Sequence, residues 1–245
     1  MPHRRRFFVP EVRRGTAQLT GDDAAHLVRV LRAEVGQIYE ISDNRDLYSA
    51  EIEVARKSLV SFRVLEKLPP EEAAVEIWLL AALIKFDRLE WLVEKATELG
   101  VGAIRPFEAT RTERGLAQAA IKRRARWQKI ALEASQQARR IHLPQVQRAS
   151  SFAEALEVEA NVKLLLDESA DAPAILPSLP GERTTSDRVA LLLGPEGGWT
   201  NEERAQAIAA GFQNCSLGRT ILRSETAAVA GLAVIQAAWR ADVPG

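Results

Sequence analysis

Apolar and polar residues alternate in short stretches along the first 70 residues of the chain. A period of two residues is the spacing of β-strands that bury one face. The alternating stretches lie at residues 7–9, 17–19, 36–41, 47–54 and 59–65. Residues 22–31 differ, because Ala25, Val28 and Leu31 follow helical spacing there. The pattern predicts a small β-barrel that includes one helix.

Residues 68–72, Leu-Pro-Pro-Glu-Glu, interrupt this pattern with two prolines and two acidic side chains. A stiff, charged segment of this kind is typical of a linker between domains. We therefore predict a first domain at residues 1–70 and a second domain at residues 73–245.

The second part of the chain alternates continuous apolar runs with segments of helical spacing. The apolar runs, at residues 77–83, 101–104, 162–166 and 189–193, are typical of strands buried on both faces in a parallel sheet. The helical segments lie at residues 87–99, 117–140, 202–210 and 225–239. This alternation of strands and helices predicts an α/β domain.

The composition narrows the class of protein. Hydrophobic residues make up 47% of the chain and charged residues 27%, which is typical of a folded globular protein. No stretch contains the roughly 18 uncharged apolar residues that a membrane span needs. The basic start of the chain lacks the apolar run of a signal peptide. We therefore expect a cytoplasmic protein without a membrane partner.

Residue types that bind metals are sparse. Cys215 is the only cysteine, and the three histidines, His3, His26 and His142, are far apart in the sequence. A single cysteine cannot form an internal disulfide, and we expect no metal site.

The formal net charge of zero hides a segregation of charge along the chain. Residues 105–148 contain eleven lysines and arginines against three glutamates. Residues 149–245 contain seven basic residues against thirteen acidic ones. A basic zone of this kind can bind the phosphate backbone of a nucleic acid.

Two glycine-containing loops carry the clearest signal of a ligand site. Residues 191–203 run from an apolar strand through Gly-Pro-Glu-Gly-Gly into a helix that Thr200 or Asn201 can cap. Glycines let the backbone approach a ligand closely, and a helix N-terminus offers unpaired N–H groups. Residues 216–228 place a second glycine before a helix that Ser224 can cap. A turn without a ligand is the alternative, and the first loop matches neither the dinucleotide nor the P-loop pattern.

The two motifs together resemble those of the RsmE family, the ribosomal RNA small subunit methyltransferases E. The resemblance rests on Gly194-Pro-Glu-Gly-Gly198 followed by Leu217-Gly-x-x-Ile-Leu-Arg-x-Glu-Thr-Ala227. Supporting matches occur in the same order at residues 5–9, 26–32, 95–101 and 133–140. The resemblance therefore extends over most of the chain.

The resemblance implies a SPOUT methyltransferase, which is an α/β domain with a C-terminal trefoil knot that binds S-adenosylmethionine. It implies a PUA-like RNA-binding barrel before that domain. It further implies a homodimer that methylates N3 of a specific uridine in 16S ribosomal RNA. Neither the knot nor the type of barrel follows from periodicity, because knotted chains are rare and the pattern alone favours an open sheet.

Carried onto this chain, the resemblance assigns cofactor binding to ten residues of the two loops. In the first loop they are Leu193, Gly194, Glu196, Gly197 and Gly198, and in the second they are Leu217, Gly218, Ile221, Leu222 and Thr226. Arg219 and Thr220 receive no role.

Methyl transfer to a uracil nitrogen needs an aligned nucleophile and a place for its proton. Arg223 is the candidate to stabilise negative charge on the base, and a structural ion pair with Glu225 or Glu196 is the alternative. Glu225 or Glu196 is the candidate to accept the proton, although either can instead brace a loop or a helix start. Cys215 is expected to be a buried apolar residue rather than a nucleophile.

Arginines of the 105–148 zone, together with those near the N-terminus, are the candidates for RNA binding. A charged helix face that only meets water is the alternative. The candidates are Arg4, Arg5, Arg6, Arg111, Arg114, Arg123, Arg126, Arg139 and Arg140.

Two other functions stay open at this point. One is a SPOUT methyltransferase that acts on a ribose 2′-hydroxyl or on transfer RNA. The other is an RNA-binding assembly protein without catalytic activity. The target nucleotide, and whether the substrate is free RNA or an assembled subunit, do not follow from the sequence.

Overall fold

The computed structural model describes residues 6–70, 74–169 and 171–241. The chain divides into two compact units. The first unit comprises Met1–Glu72 and Ser135–Leu143, and the second comprises Ala73–Ala134 and Pro144–Gly245. Nothing in the hydrophobic pattern indicates that residues 135–143 belong with the first unit.

The part of the first unit that the structure describes contains six strands and one complete helix. The strands are β1 (Arg6–Phe8), β2 (Val12–Arg13), β3 (Thr16–Thr20), β4 (Ile38–Ser42), β5 (Leu47–Arg56) and β6 (Leu59–Lys67), and the helix is α1 (Gly21–Arg29). They form one sheet in the order β1–β4–β5–β6–β3–β2. The pair β1–β4 is parallel, and the other neighbours are antiparallel. The five strands and the helix predicted in this region are confirmed.

Apolar residues at alternate positions of these strands form the core of the first unit. Ile41, Ile52 and Phe62 are fully buried on one face of the sheet, and Leu27 of α1 packs with them. Intervening residues such as Glu53 and Arg63 are exposed and form an ion pair. The period of two in the sequence therefore reports the burial of one face.

Residues 135–143 are fastened to the first unit by polar contacts. The buried Ser42 hydroxyl donates to the Ile141 carbonyl oxygen at 2.6 Å. The Asn44 side-chain oxygen accepts from the Leu143 amide at 2.7 Å. Side-chain hydrogen bonds of this kind have no signature in a hydrophobic pattern.

The second unit is built on a parallel sheet of seven strands. They are β7 (Glu76–Ala82), β8 (Ala103–Glu108), β9 (Gln145–Val146), β10 (Ser150–Ser151), β11 (Val162–Leu166), β12 (Arg188–Leu193) and β13 (Gln213–Cys215). The order is β10–β8–β7–β12–β11–β13, and β9 pairs with β8. The recorded pairs are all parallel. The four longer predicted strands and the α/β architecture are confirmed.

Five α-helices accompany this sheet. They are α2 (Phe86–Glu98), α3 (Leu116–Gln137), α4 (Phe152–Leu156), α5 (Asn201–Ala209) and α6 (Ser224–Ala241), and a short 3-10 helix covers Leu176–Ser178. Helix α6 lies close to the sheet at Gly231, where a Cβ atom would be 3.0 Å from a Leu191 methyl group. The missing side chain therefore permits the close packing of α6 against the strands.

The strand order brings the carboxyl ends of β11, β12 and β13 to one edge of the sheet. Leu166, at the end of β11, is in register with Leu193 of β12 and with Cys215 of β13. The segments that follow these residues must therefore start side by side, which is where open parallel sheets bind ligands. Within the described ranges, no helix is both long and apolar enough to cross a membrane.

Candidate functional site

A cavity of about 500 Å³ lies at this carboxyl edge. Three segments line it, one after each of β11, β12 and β13, and Arg88 of α2 completes the wall. The lining residues are Leu166–Glu168, 193–199, 217–218, 220–224 and Ala227, with Arg88. A volume of this size is typical of sites for small organic ligands.

We call residues 193–199 the first loop. Gly194 packs against the indole ring of Trp199, and a Cβ atom on Gly194 would lie 2.8 Å from that ring. Gly198 has φ +71°, which favours glycine, and the Glu168 carboxylate occupies the place where its side chain would be. The absence of these two side chains lets the backbone turn tightly beside the cavity.

Trp199 fixes the first loop to the sheet. Its Nε1 donates to the carbonyl oxygen of Leu166 at 2.9 Å, and its ring stacks parallel to Phe107 with centroids 6.3 Å apart. Helix α5 then begins with a capping box, in which Thr200 and Glu203 satisfy each other's backbone N–H groups. The amides of Glu196 and Gly197 have no hydrogen-bond partner among the described residues, so they are available to a ligand.

We call residues 217–224 the second loop. It is joined to the first loop where the Ser224 hydroxyl donates to the Gly194 carbonyl oxygen at 3.0 Å. Gly218 has φ +135°, a conformation that disfavours other residues. The expected pairing of two loops around one cavity is therefore present in the structure.

A buried ion pair lies behind the first loop. The Asp167 side chain is fully buried, and Arg204 donates two hydrogen bonds to its carboxylate oxygens, at 2.8 and 3.0 Å. A third bond of 3.1 Å runs from Arg204 to the Trp199 carbonyl oxygen. Burial by itself raises the pKa of the Asp167 carboxyl group, but the bonds from Arg204 and from the Ser169 amide outweigh burial and hold this pKa below its ordinary value.

The three candidates for catalysis have different surroundings. The Arg223 side chain lines the cavity and is exposed, and it makes no hydrogen bond or ion pair with the described part of the chain. Glu196 instead pairs with Arg88. Glu225 does not line the cavity, and its Oε2 is buried without a hydrogen-bond partner among the described residues. Neither of the ion pairs considered as an alternative for Arg223 is formed.

Cys215 is fully buried at the end of β13. Burial raises the pKa of its thiol to about 12, and the neighbouring Asp167 carboxylate adds to this shift. The thiolate, which is the nucleophilic form, is therefore almost absent at neutral pH. The structure supports the reading of Cys215 as a buried apolar residue.

The candidates for RNA binding differ in their exposure and in their partners. Arg4 and Arg5 lie outside the described residues. The Arg6 side chain is 6% exposed and pairs with Glu40, as does Arg139. Burial leaves Arg6 almost no surface for a phosphate, and we remove it from the candidates. Arg140 is half-buried.

The remaining basic candidates are exposed and belong to the second unit. Arg123 and Arg126 both pair with Glu90 of α2. Arg111 donates to the Gly197 carbonyl oxygen, and the exposed Arg114 side chain makes no hydrogen bond or ion pair within the described ranges. The side chains of Arg123 and Arg126 are 46% and 60% exposed, so both leave surface for a phosphate, whereas Glu90 is only 15% exposed.

The structure also adds lining residues that the sequence analysis did not name. Asp167 and Glu168 directly follow a predicted strand of a parallel sheet, and that position was a usable signal. Arg88 had no such signal, because it is 108 residues from its partner Glu196 in the sequence. Conversely, Thr226 is exposed and does not line the cavity. In the described part of the chain, no cluster of His, Cys, Asp and Glu could hold a metal ion.

Comparison with known proteins assigns the class. A family model described as an RNA methyltransferase domain matches residues 71–236, and one described as an RNA methyltransferase PUA domain matches residues 19–65. The fold and the cavity therefore define an RNA methyltransferase with a PUA domain. The predicted PUA-like sheet and SPOUT-type α/β domain are confirmed, whereas the trefoil knot stays a prediction.

Similarity to individual proteins is more specific. The chain is 33% identical over 232 residues to the ribosomal RNA small subunit methyltransferase E of Bacillus subtilis, covering 90% of this chain and 89% of that protein. It is 30% identical to the same enzyme of Rickettsia conorii, with 89% and 88% covered. The chain belongs to the ribosomal RNA small subunit methyltransferase E family.

Two solved structures share the whole fold. The ribosomal RNA small subunit methyltransferase E of Neisseria gonorrhoeae, bound to S-adenosylmethionine, is 31% identical with a TM-score of 0.85, and the match covers 97% of this chain and 98% of that one. A methyltransferase of Legionella pneumophila in complex with the same cofactor is 29% identical with a TM-score of 0.87, covering 96% and 98%.

The buried pair generates a prediction about stability. We expect Arg204→Met to lower the free energy of unfolding at pH 7 by about 3 kcal/mol, because it leaves the Asp167 carboxylate buried without its partner. Urea unfolding measures the change. Arg148→Met is the control, since Arg148 pairs with Glu154 at the surface and its loss should cost less than about 1 kcal/mol.

The same pair predicts a dependence on pH. The pKa of Asp167 is lowered in the folded wild-type protein, so its contribution is present above the ordinary value of 3.8 and is lost as the pH falls through the folded value. In Arg204→Met, burial instead raises this pKa, and acidification relieves the buried charge. The stability difference between the two proteins should therefore shrink from pH 7 towards pH 4. An equal difference at both pH values would contradict this account.

Proposed function

We propose that this protein methylates N3 of a uridine in 16S ribosomal RNA and uses S-adenosylmethionine as the methyl donor. The observation that carries the proposal is the cavity between the two loops, whose residues are those that motivated the resemblance to the family. Membership of the family supports ribosomal RNA as the substrate. Neighbouring structures that contain S-adenosylmethionine support the cofactor.

The cavity has the features that this cofactor requires. Its size suits a small organic ligand, the glycines allow close approach, and free backbone amides at Glu196 and Gly197 can donate to polar atoms. We assign cofactor binding to nine of the ten expected residues, omitting Thr226 because it does not line the cavity. The nine are Leu193, Gly194, Glu196, Gly197, Gly198, Leu217, Gly218, Ile221 and Leu222.

In this reaction the protein mainly has to align the reacting atoms and stabilise the developing charge. S-adenosylmethionine supplies an electrophilic methyl group on a positively charged sulfur. As uracil N3 loses its proton, negative charge spreads to the two adjacent carbonyl oxygens, and a nearby guanidinium stabilises it. Arg223 fits this role because its side chain is at the cavity and is not committed to a protein carboxylate.

The proton acceptor is less constrained by the geometry. Glu196 lines the cavity, and its carboxylate is already paired with Arg88. Glu225 adjoins Ser224 at the start of α6 and has a buried oxygen without a partner. We retain both as candidates.

RNA binding is assigned to the basic side chains outside the cavity and to the PUA domain. We propose the division into an RNA-binding domain at residues 1–70 and a methyltransferase domain at residues 73–245. Arg4 and Arg5 are the candidates in residues 1–70. Those in residues 73–245 are Arg111, Arg114, Arg123 and Arg126, with Arg139 and Arg140 in the segment 135–143 that packs with the first unit. A homodimer and a cytoplasmic location complete the proposal, and sedimentation velocity tests the homodimer.

Methylation in vitro tests the function. The protein is incubated with S-adenosylmethionine and either protein-free 16S rRNA or small ribosomal subunits, and the RNA is mapped by mass spectrometry and primer extension. We expect one methylated uridine that stops primer extension, because a methyl group on N3 blocks base pairing. A methylated ribose, which allows base pairing, or a methylated transfer RNA, would indicate a different methyltransferase. No methylation of either RNA would contradict the proposal.

The packing of the first loop predicts the effect of one methyl group. Gly194→Ala places Cβ against the Trp199 ring, so the loop or the ring must move. Overpacking of this kind costs about 1–3 kcal/mol, and we expect affinity for S-adenosylmethionine to fall by about tenfold. Calorimetry measures the affinity. Gly181→Ala is the matched control, since no atom lies within 4 Å of the added Cβ, and its affinity should be unchanged.

Arg223→Ala tests the catalytic assignment. We expect the single-turnover rate of methylation to fall by about 10²-fold, as for loss of one oxyanion-stabilising donor, with little change in cofactor affinity. The deficit should narrow at higher pH, because a uracil that is already deprotonated needs less stabilisation. Arg223→Lys should retain part of the rate.

Arg219→Ala is the control for Arg223, since Arg219 is an exposed arginine of the same loop that does not line the cavity. It should leave both the rate and the cofactor affinity unchanged. If Arg223→Ala instead lowers thermal stability and cofactor affinity together, with one rate deficit at every pH, Arg223 is structural.

A further inference from the structure

A short turn after β8 lies against the first loop. It consists of Ala109, Thr110, Arg111 and Thr112, and we call it the 109–112 turn. The Thr112 amide donates to the Ala109 carbonyl oxygen at 3.0 Å, and the Thr112 hydroxyl accepts from the Ala109 amide at 2.9 Å. The turn is therefore closed by its own hydrogen bonds and can act as a unit.

Glu203 joins this turn to the start of helix α5, directly after the first loop, from inside the protein. Its side chain is buried, and it accepts from the Thr110 amide at 2.8 Å and from the Thr200 amide at 2.9 Å. Burial by itself raises the pKa of the Glu203 carboxyl group, but these N–H groups outweigh burial and hold this pKa below its ordinary value. One charged carboxylate therefore holds two segments that are about 90 residues apart in the sequence.

Arg111 joins the 109–112 turn to the first loop itself, on the exposed side. Its Nη1 donates to the Gly197 carbonyl oxygen at 2.7 Å. A Cβ atom on Gly197 would lie 3.1 Å from Cβ of Arg111, so the arginine stem covers the glycine. The turn is thus held to the first loop by Arg111 and to the adjoining start of α5 by Glu203, so a shift of either segment alone would break these hydrogen bonds.

The 109–112 turn directly precedes a run of exposed basic residues in the second unit. Arg114 follows two residues later, and α3 then exposes Lys122, Arg123, Arg124 and Arg126. The turn that precedes these basic residues is therefore the same turn that is hydrogen-bonded to the first loop, which lines the cavity.

We propose that Arg111 is a positioning residue that couples binding of S-adenosylmethionine to binding of RNA, and this rests on the function proposed above. The cofactor orders the first loop, and through Arg111 and Glu203 it orders the 109–112 turn. RNA bound to the basic surface orders the same turn from the other side. Once one ligand has ordered the turn and the first loop, the second ligand loses less conformational entropy when it binds. Each ligand therefore raises the affinity for the other by the same factor.

The experiment measures the affinity of the wild-type protein for S-adenosylhomocysteine with and without RNA. S-adenosylhomocysteine has no methyl group to transfer, so the RNA is not consumed, and the RNA used is the substrate that is methylated in the assay above. We expect RNA to raise the affinity by about fivefold or more, which is the lower end of measured coupling between sites.

Substitutions then assign the coupling to Arg111. Arg111→Ala should bring the ratio of the two affinities close to one, and Arg111→Lys should restore part of it, because an ammonium group can still donate to the Gly197 carbonyl oxygen. Lys122→Ala is the matched control. It removes one positive charge from the same basic zone without a contact to the first loop, so it should weaken RNA binding and leave the ratio unchanged.

The outcomes separate this proposal from the proposed function. Methylated RNA together with a wild-type ratio of one, or a ratio below one, overturns the coupling and leaves the function standing. A wild-type ratio of five that persists in Arg111→Ala overturns the role of Arg111. A ratio that falls equally in Arg111→Ala and Lys122→Ala shows a loss of charge only and also overturns it.

Discussion

The contact between Gly194 and the indole of Trp199 is the constraint on which the candidate site depends. The indole is held from below by its hydrogen bond to the Leu166 carbonyl oxygen and by stacking on Phe107. Only a residue without a side chain can rest on such a fixed ring. The Trp199 hydrogen bond joins the first loop to the end of β11, and the Ser224 hydroxyl adds the segment after β13 by bonding to Gly194. The first loop therefore connects the three walls of the cavity.

Much of the fold could be predicted because buried apolar residues recur along the sequence with the spacing of the strand or helix to which they belong. Strands such as Val189–Leu193, buried on both faces, appear as continuous apolar runs, and the strands of the first unit appear as alternation. The predicted helix at residues 117–140 ends instead at Gln137, and Arg139 adopts φ +57°. Apolar spacing continues past this end through Ala138, so the pattern could not mark it.

The site was predictable only where the sequence itself is unusual. The glycines of the two loops identified most of the cavity wall, because a backbone that must approach a ligand excludes side chains. Asp167, Arg204 and Arg88 act through partners that are 37 to 108 residues away, and such pairing depends on the register of strands that the sequence does not state. The same reason hides the attachment of residues 135–143 to the first unit.

The buried thiol of Cys215 has a consequence for how this protein withstands oxidants. Because burial raises the pKa of this thiol to about 12, very little of it is ionised at pH 7, and peroxides react with the ionised form. The strand and the core around it also prevent a disulfide between two copies of the chain. The sequence contains one methionine, Met1, so oxidisable sulfur is almost absent. Oxidants that act on sulfur therefore have almost no accessible target in this protein.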